Sequence, residues 1–225
     1  MSERENILEL KNVVYSFHTY GGEVKAVRDV SYEVRQGEIL GIVGESGCGK
    51  SVTAQCILRL NPEPPGFFEG GEILYKGQDV LKMSKKEIRK IRGREIGFVF
   101  QDPMTSLNPT MRVGAQIEEV FLGRTDVSKK EVKERAMDIM RLVGISDVEK
   151  RYKQYPHELS GGMKQRVMIA IALVSRPSVI ICDEPTTSLD VTIEAQILDL
   201  LLELREKLGT SIIMITHDLG VISRL

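Results

Sequence analysis

The sequence has 225 residues, of which 42% are hydrophobic and 28% charged, and its formal net charge at pH 7 is −1. This composition predicts one globular unit, or a core with a lobe, and excludes the strongly basic field of a general nucleic-acid binder. No apolar run approaches the ~20 residues of a membrane span, and the N-terminus has too many charges for a signal peptide, so we expect a soluble, intracellular protein.

The N-terminal segment predicts a small antiparallel sheet. Apolar and polar residues alternate over residues 8–11 and 30–34, which is typical of strands with one solvent-exposed face. Residues 18–23, which lie between them, are rich in turn-forming residues. We therefore expect two antiparallel strands with a turn in the segment that connects them.

A glycine-rich loop lies between the next predicted strand and a helix. Residues 39–43 are a continuous apolar run, which predicts a strand buried on both faces. Residues 44–51 then match the P-loop pattern Gly-x4-Gly-Lys-Ser. In this pattern backbone N–H groups surround a phosphate, the lysine reaches the β- and γ-phosphates, and the serine hydroxyl binds Mg2+. The candidate nucleotide-binding residues of this loop are Gly44, Glu45, Ser46, Gly47, Cys48, Gly49, Lys50, Ser51 and Val52.

Three aromatic residues precede the P-loop. A P-loop binds phosphates and offers nothing to the nucleotide base, so Tyr15, Phe17 and Tyr20 are candidates for a stacking contact with that base. Packing within the small N-terminal sheet is the alternative for each of them. The residues taken alone do not distinguish the two roles.

The segment after the P-loop helix predicts a loop, a short strand, a basic helix and a second continuous apolar strand. The loop covers residues 61–71 and the short strand residues 72–75. Residues 84–94 contain six basic residues and one glutamate, and a second glutamate follows directly at position 95. We interpret this helix as having a solvated basic face, with a partner-binding surface as the alternative. The apolar strand covers residues 96–100 and ends at Gln101.

A helical insertion is predicted after this strand, and it ends near a second glycine-rich turn. Strand patterns are absent from residue 102 to about 158. Ser160 then predicts the cap of an apolar, buried helix that starts with Gly161 and Gly162. Such a helix start also suits phosphate. Because the P-loop already binds this chain's nucleotide, the second turn would serve a nucleotide held by another subunit; helix capping alone is the alternative.

The predicted parallel strands bring polar residues to one edge of a sheet. Two more apolar strands, before and after a predicted amphipathic helix, end at Asp183-Glu184 and at His217, as the earlier ones end at Gly44 and Gln101. Ligands of open parallel sheets bind outside the carboxyl ends of the strands. Asp183 suits Mg2+, Glu184 suits a general base for an attacking water, and Gln101 and His217 suit the orientation of water, metal and γ-phosphate.

Along essentially its whole length the chain resembles ATP-binding cassette (ABC) ATPases. Residues 159–165, Leu-Ser-Gly-Gly-Met-Lys-Gln, match the signature that is specific to this family. The resemblance implies that Phe17 is the base-stacking aromatic, and that Asp190 lies in the D-loop. The implied catalytic residues are Glu184, His217, Gln101 and Lys50, the implied metal ligands are Ser51, Gln101 and Asp183, and the implied trans nucleotide contacts are Ser160, Gly161 and Gly162.

The resemblance also implies the fold and its division. We expect an α/β fold, with a P-loop NTPase core built on a mostly parallel sheet, an N-terminal antiparallel β subdomain and a helical insertion. The core is predicted to comprise residues 1–101 and 165–225, and the helical subdomain residues from about 102 to 164. The sequence ends eight residues after His217, inside a predicted helix. The C-terminal extension of family members is therefore expected to be absent.

Three segments narrow the resemblance to the ATPase subunits of dipeptide, oligopeptide and nickel importers: residues 44–53, 101–109 and 183–192. This implies ATP and Mg2+ as cofactors, ATP hydrolysis, and an ATP-dependent homodimer or heterodimer with a related ATPase. It further implies integral-membrane permease subunits as partners, an extracytoplasmic solute-binding protein as an indirect partner, and a position on the cytoplasmic side of the cell membrane. No nucleic-acid partner is expected.

The alternative is a soluble, non-transport ABC ATPase that acts in translation or DNA repair. Soluble translation factors usually fuse two cassettes, whereas this chain has one P-loop and one signature. DNA-repair relatives carry long coiled-coil insertions, and the sequence predicts none. The importer is therefore the favoured hypothesis.

Overall fold

The computed structural model describes residues 5–122, 127–187 and 189–224. Its strands are β1 (Asn6–Thr19), β2 (Gly22–Arg35), β3 (Ile39–Val43), β4 (Gly66–Tyr75), β5 (Gln78–Asp79), β6 (Ile96–Val99), β7 (Val179–Asp183) and β8 (Ser211–Thr216). Its α-helices are α1 (Lys50–Ile57), α2 (Lys85–Ile91), α3 (Pro103–Ser106), α4 (Val113–Glu119), α5 (Lys129–Leu142), α6 (Val148–Arg151), α7 (Gly161–Leu173), α8 (Val191–Leu208) and α9 (Leu219–Ile222).

The N-terminal strands form an antiparallel sheet in the order β2-β1-β4-β5. Leu8 pairs with Val34, and Leu10 pairs with Tyr32. Leu8, Leu10 and Val34 are fully or almost fully buried, which is the outcome of the alternating pattern. The prediction of two antiparallel strands is confirmed, and the strands extend to within two residues of each other at a tight turn.

The prediction of a loop over residues 61–71 is wrong in its second half, because β4 begins at Gly66. In β4 Gly66 pairs with Phe17 of β1, and Phe68 pairs with Tyr15. The Tyr15 and Phe68 rings pack edge to face with 4.7 Å between their centroids. Cross-strand aromatic packing of this kind outweighs the local preference of glycine for turns.

The second sheet is parallel, with the order β3-β8-β7-β6. β7 and β8 lie in its centre, and all their residues are buried. β3 pairs only with β8 among the described strands, and Val43 at its end is 39% exposed. The prediction that residues 39–43 are buried on both faces is therefore wrong. A continuous apolar run indicates a parallel strand but does not distinguish a central position from an edge.

The connection from β6 to β7 comprises helices α3 to α7, and the part of it that the structure describes contains no strand. Helices α3, α4 and α5 pack against α7, within an apolar cluster that includes Ile117, Met140 and Met168. Because α7 packs against β6 as well, it joins this helical segment to the parallel sheet. The division between residues 164 and 165 falls inside α7 and stays a prediction. Within the described ranges, none of the helices has the length and apolarity to cross a membrane.

Candidate active site

The P-loop connects the carboxyl end of β3 to the start of α1. Gly49 caps α1 with a left-handed backbone, φ 98°, a conformation that side chains other than glycine rarely adopt. A Cβ atom on Gly49 would also overlap the carbonyl oxygen of Ala26 in β2. Glycine is therefore required at this position for both backbone conformation and space, and β2 lies directly against the loop.

Lys50 lies at the first position of α1 and is buried. Its amino group donates hydrogen bonds to the carbonyl oxygens of Gly44, at 2.7 Å, and Glu45, at 2.9 Å. The Cys48 sulfur lies 3.9 Å from the same nitrogen. The loop thus wraps around a single ammonium group, which places a positive charge among the backbone N–H groups at a helix N-terminus. This arrangement is suited to bind an anion.

Ser51 and Asp183 connect the P-loop to the central strand β7. The Ser51 hydroxyl donates a hydrogen bond to Asp183 Oδ1 at 2.9 Å. Burial raises the pKa of Asp183, and the neighbouring Glu184 raises it further, whereas the Ser51 hydrogen bond and the Lys50 charge lower it. A buried carboxylate whose pKa is raised by desolvation is stabilised by any cation that binds to it.

Glu184 is the centre of a hydrogen-bond cluster at the carboxyl ends of β6, β7 and β8. Its Oε2 atom accepts hydrogen bonds from Gln101 Nε2 at 3.0 Å and from the Thr187 hydroxyl at 2.9 Å. His217 Nδ1 lies 3.1 Å from the same oxygen. Glu184 has a left-handed backbone, φ 45°, and such strained residues cluster at functional sites. The strand ends therefore converge as the sequence predicts.

Lys50, Ser51, Gln101 and Glu184 line one cavity of about 270 Å³. Its walls come from the P-loop, the start of α1, Gln101 and Glu184. The complete lining is Ala26, Ser46, Gly47, Gly49, Lys50, Ser51, Val52, Gln101 and Glu184. Gly44, Glu45, Cys48 and Asp183 belong to the same loop or strand ends but do not line it. Sequence reasoning missed Ala26, whose backbone carbonyl lies against Gly49, and Thr187, whose hydroxyl donates a hydrogen bond to Glu184. Neither kind of contact has a sequence pattern.

Phe17 lies on β1 and is partly buried. It pairs with Val24 of β2, two residues before Ala26 in the cavity wall. Its ring packs edge to face on Tyr15, with 5.3 Å between the centroids. Packing within the sheet is therefore observed for Phe17. A stacking contact with a nucleotide base stays a prediction. It would require the base to extend from the P-loop cavity, past Ala26, toward the strand position where Phe17 pairs with Val24.

The second glycine-rich turn, at the start of α7, does not line the P-loop cavity. Ser160 caps α7 by accepting a hydrogen bond from the Met163 N–H, as the sequence predicts. Asp190 caps α8 in the same manner, with the Ile193 N–H as donor at 3.0 Å. The two caps line a separate cavity of about 350 Å³, together with Gly161, Gly162, Met163, Arg166, Leu189 and Ile193. This cavity shares no lining residue with the P-loop cavity.

Residues 27–187 match the family model described as ABC transporter. The match includes the P-loop, Gln101, the Ser160 turn and Glu184, which are the parts of the site described above. The chain belongs to the ABC transporter family. The family prediction is therefore confirmed, and the match includes residues that line each of the two cavities.

Two relatives of this ABC protein come from Bacillus subtilis (strain 168). The chain is 57% identical to its oligopeptide transport ATP-binding protein OppD, over 97% of this chain and 61% of the relative. It is 51% identical to its dipeptide transport ATP-binding protein DppD, over 98% of this chain and 66% of the relative. The chain thus spans less than two thirds of the length of either relative.

Solved ABC cassettes have the same fold as this chain. The dimeric ATP-binding cassette MJ0796, in a post-hydrolysis state bound to ADP and Pi, superimposes with a TM-score of 0.83 at 31% identity. This similarity covers 95% of the present chain and 89% of the cassette. CbiO1 from Clostridium perfringens, part of the ABC transporter complex CbiONQ, gives a TM-score of 0.80 at 30% identity. The predicted α/β fold with its antiparallel and parallel sheets is confirmed.

Proposed function

We propose that this chain binds and hydrolyses ATP to power a membrane importer of dipeptides or oligopeptides. The observation that carries the ATPase part is the convergence of Lys50, Ser51 and Glu184 on one cavity at the strand ends. The transport part rests on the names of the two Bacillus subtilis relatives, an oligopeptide and a dipeptide transport protein. The non-transport alternative has no comparable support.

The P-loop would bind the ATP phosphates. The Lys50 ammonium is held at the centre of the loop, from where it can exchange its two carbonyl partners for phosphate oxygens. Ser51, Asp183 and Gln101 provide hydroxyl, carboxylate and amide oxygens, the donor types that Mg2+ prefers. The buried Asp183 carboxylate beside the Ser51 hydroxyl fits this ion. When bound, Mg2+ would neutralise charge on the phosphates.

Glu184 would act as the general base toward water. Gln101 and Thr187 donate hydrogen bonds to one of its two oxygens, Oε2, and so fix the rotation of the carboxylate. The second oxygen, Oε1, accepts no hydrogen bond from the described residues and is available to take a proton from water. His217 approaches the same fixed oxygen, although it does not line the P-loop cavity.

The signature turn would complete the site of a second ATPase subunit. Ser160, Gly161 and Gly162 form a helix N-terminus with its own cavity, which suits a phosphate group. In the P-loop cavity these residues are absent. We therefore propose a head-to-tail dimer, with each ATP between one P-loop and the partner's signature. The complete importer would place this dimer on the cytoplasmic side of the membrane, beneath permease subunits supplied by an extracytoplasmic solute-binding protein.

The dimer is tested with Glu184→Gln, which should bind Mg2+-ATP without cleaving it. We expect this variant to shift from monomer to dimer in ATP, as measured by light-scattering mass. Adding Ser160→Arg places a bulky side chain where the partner's γ-phosphate would lie, and should abolish the shift. ATP binding should persist, because Ser160 does not line the P-loop cavity. A double variant that dimerises as fully as Glu184→Gln alone would leave Ser160 with the capping role only.

Transport is tested with a chimera in Bacillus subtilis. This chain replaces the matched segment of the oligopeptide transport protein, in a strain that lacks that protein. We expect uptake of a labelled oligopeptide to return, and the same chimera with Glu184→Gln to give no uptake. An expressed, ATP-hydrolysing chimera that restores no uptake would argue against import and for a non-transport ATPase.

A further inference from the structure

The short helix α2 carries a dense group of basic side chains away from both cavities. Lys85, Lys86, Arg89 and Lys90 are exposed, and Arg94 follows at the end of the next turn. We call these five residues the α2 basic face. Among the residues that the structure describes, none of the five has an ion-pair partner within 4 Å. Their charges are therefore available to a partner outside the chain.

The two glutamates nearest to this face are already engaged. Glu87 accepts hydrogen bonds from the Ser84 amide at 2.8 Å and the Ser84 hydroxyl at 2.6 Å. These bonds, with a smaller contribution from Lys90, lower the pKa of Glu87. Glu95 accepts from Tyr75 at 2.9 Å and Lys76 at 2.8 Å. Glu95 is therefore paired with a cation outside the α2 basic face, whereas Glu87 stays ionised and offsets one of the five positive charges.

Helix α5 starts with the same four-residue sequence as α2 and can be compared with it. The sequence Ser-Lys-Lys-Glu starts both α2, at residues 84–87, and α5, at residues 128–131. In both helices the serine side chain accepts a hydrogen bond from the glutamate N–H. The two helices therefore start with the same cap and the same pair of lysines. Their sequences differ only in the residues that follow this start.

The following residues give α5 ion pairs, whereas the side chains of the α2 basic face form none among the described residues. In α5 Arg135 pairs with Glu131 at 2.6 Å and Lys130 pairs with Glu134 at 3.9 Å. In α2 the residues four positions after Lys85 and Lys86 are Arg89 and Lys90. Like charges at this spacing destabilise a helix, whereas opposite charges stabilise it. The α5 helix contains one such like-charged pair as well, Lys129 and Lys133, and in α2 Glu87 lies three positions before Lys90. The two helices therefore differ in the ion pairs that their basic side chains form.

A cavity of about 560 Å³ adjoins the basic face. Lys90 and Arg94 lie in its wall, with Gln78 and Met83 on the side of β5. The one aromatic residue in the wall, Tyr75, is buried and donates its hydroxyl to Glu95. Lys76, Glu87 and Glu95 line it as well, so the cavity brings three cations together with two carboxylates and a polar amide. None of its described lining residues offers an exposed ring on which a nucleic-acid base would stack.

We propose that the α2 basic face binds the anionic lipid headgroups of the membrane in which the transporter lies. This inference rests on the proposed function, because only a membrane-bound complex holds the face near lipid. Clusters of four to eight basic residues on a helix are typical of contacts with anionic lipids. The headgroup phosphate would enter between Lys90 and Arg94, and the exposed lysines would contact neighbouring lipids.

The experiment uses the 225-residue chain and sedimentation with vesicles of phosphatidylcholine, with or without phosphatidylglycerol. We expect binding only to the anionic vesicles, and weaker binding at high salt. Neutralising three charges in Lys85→Gln/Lys86→Gln/Arg89→Gln should weaken it about 100-fold, at about fivefold for each basic residue. The matched control is Lys129→Gln/Lys130→Gln/Lys133→Gln in α5, which has the same change in net charge and should bind as the unmodified chain does.

Three results would overturn the proposal. Equal sedimentation with neutral and anionic vesicles would do so. An equal loss of binding to anionic vesicles in the α2 and α5 variants would also do so. Binding of double-stranded DNA as tight as that of anionic vesicles would make the face a general polyanion site. ATP hydrolysis is measured in the same samples. A chain that hydrolyses ATP but does not bind anionic vesicles contradicts this inference alone, whereas a chain without hydrolysis contradicts the proposed function.

Discussion

Removing the Lys50 charge is expected to abolish most ATP binding and nearly all hydrolysis. Among the described residues that line the P-loop cavity, Lys50 is the only one with a cationic side chain, and hydrogen bonds to charged groups contribute about 1.5–3 kcal/mol. Loss of this contact should weaken ATP binding roughly 10- to 150-fold. Lys50→Met is the sharper variant, because its side chain fills the same space without a charge.

The measurement is calorimetric titration of Lys50→Met with Mg2+-ATP, beside the thermal unfolding of the free protein. Lys50 also donates hydrogen bonds to Gly44 and Glu45, so a small loss of stability is expected in the absence of nucleotide. Lys129→Met, at an exposed position of α5, is the control and should titrate normally. Unchanged ATP affinity in folded Lys50→Met would show that the loop is not the phosphate site.

The parts of the site that the sequence predicts are those fixed by local rules. Gly49 must have a left-handed backbone beside Ala26, and this requirement has a sequence pattern because only glycine meets it. Similarly, Gln101 and Glu184 follow apolar runs, and the carboxyl ends of parallel strands share one edge. Both rules connect a few neighbouring residues to a position in the fold.

The parts that the sequence does not predict depend on contacts between distant segments. Thr187 belongs to the site because the turn after β7 brings its hydroxyl back to Glu184, and a lone threonine has no pattern that indicates this. The edge position of β3 depends on which strands lie beside it, not on its own apolar residues. The early start of β4 depends on its pairing with Tyr15 and Phe17.

The second large effect is expected for Glu184→Gln, which should bind Mg2+-ATP but hydrolyse it about 10²- to 10⁴-fold more slowly, the range that a general base contributes. The amide has the same shape as the carboxylate and can still accept hydrogen bonds from Gln101 and Thr187 through its oxygen, so the fold and the cavity should be retained. What the amide lacks is the ability to accept a proton from water.

Single-turnover hydrolysis of Mg2+-ATP, at protein concentrations that support the dimer, measures this effect directly. Thr187→Val is the matched control, because it removes one hydrogen bond to Glu184 and leaves the carboxylate in place. Its rate should fall no more than about 10- to 150-fold, since a hydrogen bond to a charged group contributes about 1.5–3 kcal/mol and Gln101 keeps its own hydrogen bond to the same oxygen. Hydrolysis by Glu184→Gln at a rate near that of Thr187→Val would remove Glu184 from the role of base. The same hydrogen-bond cluster would then position water for another proton acceptor, such as the γ-phosphate itself.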